Sequence, residues 1–65
     1  MAVNKMYAKN PKQLDICLKL LYAEQVRWIV DVVEGNKGKI IYQISVNVED
    51  DIFDVLKEKY RILIS

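Results

Sequence analysis

Histidine is absent from this sequence, and cysteine, proline and glycine are nearly so, with one, one and two residues in 65. Each scarcity excludes something. A lone thiol without imidazoles cannot build a zinc site. Cys17 has no second cysteine with which to close a disulfide within the chain. General acid–base catalysis loses its most common side chain, and no pair of carboxylates stands out as a substitute. The expectation is therefore a non-enzyme with no catalytic, metal or cofactor-binding residues. Long hydrophobic runs are missing too. Nothing approaches the roughly 18 apolar residues of a membrane span, and the opening MAVNKMYAKN lacks the apolar stretch of a secretory signal. A single unpaired cysteine without an export signal suggests the cytoplasm. Nor is there a basic excess. The formal net charge is +1, which argues against phosphate neutralisation and so against nucleic acid as the main partner.

What is present is apolar content, 52% of the chain. A domain this short buries only about 60% of the surface its unfolded form exposes. Either the core is dense or part of that surface is covered by another chain. The charge is uneven: residues 1–40 hold seven basic and four acidic side chains (+3), and residues 41–65 three and five (−2). The abundance of Ile, Lys, Asn and Tyr matches AT-rich coding, as in low-GC bacteria and their phages.

The chain reads as a single domain, 1–65. Val3 to Ala8 has the character of a short strand. Asn10-Pro11 opens a helix, with Asn as cap, Pro in the first turn and Gln13 three residues after the cap. Leu14, Cys17, Leu18 and Leu21 keep the spacing of a buried stripe to about Gln25. Val26–Glu34 and Lys39–Asn47 alternate as strands around the turn Gly35-Asn36-Lys37-Gly38, whose two glycines can take positive φ. Asn47 can cap a second helix, with Glu49, Asp50 and Asp51 in its first turn and Ile52, Phe53, Leu56 and Tyr60 as its buried stripe. Ile62-Leu63-Ile64 has the branched content of a closing strand. The order β-α-β-β-α-β predicts a ferredoxin-like α+β fold, a four-stranded antiparallel sheet with both helices on one face. The alternative, residues 61–65 extending the second helix, gives a three-stranded βαββα domain.

Several features invite a chemical reading and find a simpler one. The carboxylates Glu49, Asp50, Asp51 and Asp54 lack the glycine and spacing of a calcium loop and suit a helix N-terminus. Cys17 falls on the apolar stripe, where a thiol behaves as a small hydrophobe. The turn with Gly35 and Gly38 joins strand to strand, whereas a phosphate loop leads from a strand into a helix. RNA-recognition modules share the topology but stack bases on open-face aromatics; here that face carries Ile41, Gln43 and Ser45, leaving Tyr7 as the one stacking candidate.

The remaining feature is apolar surface beyond what a core needs. Ile16 and Leu20 lie off the buried stripe of the first helix, and Ile29, Val33 and Ile41 share the open sheet face with Arg27, Asp31 and Gln43. An apolar patch rimmed by charge is the look of a protein-binding surface or a homodimer seam. These eight residues are the candidate partner-binding site.

The runs Met6-Tyr7 to Asn10-Pro11, Leu20-Leu21-Tyr22-Ala23-Glu24 and Val46-Asn47-Val48-Glu49-Asp50 resemble those of the DUF2007 signal-transducing domains, related in shape to PII-type regulators. The resemblance implies a ferredoxin-like fold and a regulatory setting, and it assigns no site residue. In size and composition the chain is also similar to small phage-encoded inhibitors of host enzymes, anti-CRISPR proteins among them. The reading that follows is a non-enzymatic module that modulates or inhibits a larger protein. A ligand-sensing homodimer and a single-stranded RNA binder are the alternatives.

Overall fold

A computed structural model describes residues 3–65. The elements run β1 (Val3–Ala8), α1 (Pro11–Ala23), β2 (Trp28–Glu34), β3 (Ile40–Asn47) and α2 (Asp50–Ile64). The three strands form one antiparallel sheet in the order β1-β3-β2, so the fold is α+β. The short axis of 16 Å accommodates one helix layer on one sheet.

The expected fourth strand is not formed: residues 62–64 are the last turn of α2. The periodicity shows why. Phe53, Leu56 and Tyr60 are buried and Ile64 is half-buried, at spacings of three and four, so Ile64 continues the same stripe one turn on. Between Asp50 and Ile64 there is no Gly or Pro to stop the helix. Of the three residues that suggested a strand, Ile62 and Leu63 lie on the outer side of the helix. Ile52, expected in the buried stripe, lies one residue off it and is 49% exposed. Asn47 does not cap α2. It stays in β3 opposite Val3, and Glu49 occupies the cap position without a side-chain hydrogen bond. Asn4 ties this junction to β1, its Nδ2 donating to the carbonyl of Val48 at 3.0 Å and to Oδ1 of Asp50 at 3.1 Å.

α1 starts as its sequence predicts. The N–H of Gln13 donates to Oδ1 of Asn10 at 2.9 Å, while Oε1 of Gln13 accepts the N–H of Lys9 at 3.0 Å. It ends two residues earlier than expected in a Schellman turn. Val26 N–H reaches the carbonyl of Leu21 (3.0 Å), and Gln25 N–H that of Tyr22 (3.1 Å). Gln25 sits at φ 59°, the left-handed position glycine usually fills.

The core is Met6 and Ala8 from β1, Ile44 and Val46 from β3, Cys17 and Leu21 from α1, and Phe53, Leu56 and Tyr60 from α2. β2 contributes none of these. Trp28 and Val30 pack half-buried against its margin, and Val32, though directed to the helix side, is 64% exposed. The helices thus cover the β1–β3 side of the sheet and leave β2 peripheral.

Candidate functional site

The pairing register defines the face that no helix covers. Ile29 lies opposite Ser45, Asp31 opposite Gln43 and Val33 opposite Ile41. On the other flank Lys5 lies opposite Ser45 and Tyr7 opposite Gln43. Directly opposed residues share a face, so Lys5, Tyr7, Ile29, Asp31, Val33, Ile41, Gln43 and Ser45 stand together. Arg27 precedes β2 at the same end as Val3 and Asn47. Six of the eight candidate residues are therefore brought onto one surface.

The other two are not. Ile16 and Leu20 belong to the helix layer on the opposite side of the sheet, half-buried and packed against the core. Leu20 lines a shallow hollow of about 260 Å³ with Lys59, Ile62 and Leu63. Part of the apolar excess of α1 is thus used against α2, and the Lys59–Glu24 ion pair joins the two helices at this end. The pattern of α1 alone could not say on which side α2 would lie.

Local structure sets the open face. Gly35 has an ordinary φ of −93°, so its glycine is not there for backbone freedom; positive φ falls on Lys37 and Gly38 instead. A Cβ on Gly35 would come within 2.5 Å of Cδ1 of Ile41. The glycine leaves room for Ile41 to fold down over the turn, which is why Ile41 is half-buried. Ile29 has no such cover and is 68% exposed. Lys5 and Ser45 on this surface were not among the candidates, nor were two large exposed side chains: Val3, and Tyr7, which is 53% exposed. The alternation of β1 was the signal for Val3, Lys5 and Tyr7, since Met6 and Ala8 are buried and the odd-numbered residues must point the other way. At one end of the sheet a depression of about 350 Å³ is lined by Val3, Arg27, Trp28, Ile29, Ser45, Val46 and Asn47.

Two titratable groups lie in the core. Cys17 is fully buried, and burial pushes its thiol from 9.0 up to about 11, so it stays protonated at neutral pH. Burial also raises the phenol of Tyr60, whose hydroxyl donates to the carbonyl of Tyr7 at 3.2 Å. Among the described residues no three Asp, Glu or Cys side chains converge into a group that could hold a metal, and no helix is long and apolar enough to cross a membrane.

No family model, curated protein or solved structure matches the chain.

Proposed function

We propose that this protein is a non-enzymatic binding module that modulates or inhibits a larger protein by occupying one of its surfaces. The observation behind this is the uncovered sheet face, where Val3, Tyr7 and Ile29 are exposed and Lys5, Arg27 and Asp31 supply a charged rim. Aromatic and aliphatic anchors inside a polar rim are how protein interfaces are built. The buried, protonated Cys17 accords with a reducing compartment, and the cytoplasm is the proposed setting.

The test is affinity capture of the tagged protein from nuclease-treated lysate of a low-GC bacterium. It runs beside Tyr7→Glu and Ile41→Asp variants and a helix-side control, Leu63→Ser, all shown by circular dichroism to be folded. One stoichiometric protein retained by the wild type and the control, and lost by both open-face variants, is the expected result. Capture that is indifferent to the open-face changes, or absent altogether, overturns the reading.

A further inference from the structure

The sheet has two exposed edges, and they differ in protection. Along β1, Lys5 and the adjoining Lys9 are the kind of charged residue that blunts an edge, and the Tyr60 hydroxyl occupies the carbonyl of Tyr7. β2 has neither lysine nor proline. Its sequence is Trp-Ile-Val-Asp-Val-Val-Glu, none of its residues is in the core, and Ile29 and Val32 are exposed on its two faces. A strand of β-formers with open backbone groups is a template for another strand.

We infer that the strand β2 meets is β2 of a second copy, paired antiparallel about a two-fold axis at Ile29. The segment around β2 is self-complementary about that residue. Reading outward from Ile29, Trp28 falls opposite Val30 of the second copy and Arg27, just before the strand, opposite Asp31; the match ends there, because the N–H of Val26 is already held by the carbonyl of Leu21. Symmetry repeats each pair. Over residues 27–31 the pairs are apolar against apolar except one, where a guanidinium meets a carboxylate, twice per dimer, and Val32–Glu34 run on past the matched segment. Arg27 and Asp31 are exposed and have no ion-pair partner within the described residues, so both are available for this role. The alternative register centred on Asp31 sets two like charges face to face, which is unfavourable. Centring on Ile29 avoids that. The paired copies form one six-stranded sheet and leave Tyr7 and Ile41 away from the seam. The pairing does not rest on the partner reading above and is tested with different residues.

The experiment is sedimentation equilibrium of the full chain over a range of concentrations, with circular dichroism to verify folding. The wild type should approach twice the mass of the chain as concentration rises. Arg27→Asp and Asp31→Arg should each lose the dimer, and the double variant carrying both should recover it, because the swapped charges meet again across the axis. Ile29→Cys leaves the charge pairs intact and reads the register directly. Opposed residues in an antiparallel pair lie about 4.5–5.5 Å apart at Cα, within disulfide reach, so this variant should cross-link on mild oxidation. Asp31→Cys, off the axis, should not. A wild type that stays monomeric, a dimer indifferent to both single charge changes, or cross-linking at 31 in preference to 29 overturns the inference.

Discussion

At the scale of single residues, backbone conformation and burial matter more than reactive chemistry. Gln25 holds a left-handed φ of 59° at the end of α1, a conformation that costs an L-residue roughly 1–2 kcal/mol and glycine little. Gln25→Gly should therefore raise the urea midpoint, by about 1 kcal/mol of stability, without altering the fold. Asn10→Ala should do the reverse, by about 1 kcal/mol, because it orphans the N–H of Gln13. Cys17 makes a pH prediction. Its folded value of about 11 stands above the ordinary 9.0. Below the unfolded value both states hold the proton and stability is constant. As pH rises from 9 towards 11 only the unfolded thiol ionises readily, and stability falls. Tyr60 is shifted in the same direction, so it adds to the loss. Denaturation midpoints at neutral pH and at pH near 10 should differ, and Cys17→Ala should narrow the difference. At neutral pH the native thiol should resist a disulfide reagent until the protein is unfolded.

At the scale of elements, the informative one is α2. Its last turn carries Ile62, Leu63 and Ile64, residues with strand propensity, yet it is helical. Propensity is a weak prior next to the burial of a continuous stripe, and Phe53, Leu56, Tyr60 and Ile64 provide that stripe. Proline at position 62 removes an interior helix bond and should cost about 3 kcal/mol. Were these residues an edge strand, the same change would be tolerated. Carbon chemical shifts of 61–64 in the wild type should be helical throughout. Most of the element map was legible beforehand because it rests on local chemistry: the Asn10-Pro11 start, the alternation of β3 and the turn at Gly35–Gly38. The end of α2 was misread because three branched residues, Ile62, Leu63 and Ile64, look alike in either state. Only the phase relative to Leu56 and Tyr60 separates the two.

At the scale of the whole molecule, two helices cover three strands unevenly. Every buried sheet residue among those described comes from β1 or β3, so β2 is held by its pairing with β3 and by the half-buried Trp28 and Val30 at the margin of the core. Amide exchange should therefore be faster in β2 than in β3 in dilute solution. It should slow as concentration rises if β2 pairs with its copy, a change readable by mass spectrometry. Leu56→Ala, by contrast, strikes the centre of the core, where Leu56 is 2% exposed. Truncations of this kind cost about 2–5 kcal/mol, a large share of the few kcal/mol that hold a domain this small. That variant should be largely unfolded at ambient temperature.

The sequence by itself determined the local pieces: where α1 starts, that 26–34 and 39–47 hold strands, which of their residues share a face, and that Cys17 falls on the buried stripe of α1. Each follows from contacts or periodicities a few residues long. The tertiary structure decided the rest. It placed Ile16 and Leu20 on the far side of the sheet from Ile29, Val33 and Ile41, added Val3 and Tyr7 to the open face, and kept residues 62–64 in the helix. It also made β2 an edge. These outcomes depend on which strand lies beside which and where two helices come to rest on them. Such long-range packing is set by the burial of Met6, Ile44, Val46 and Leu56 together, and no window of the chain contains all four.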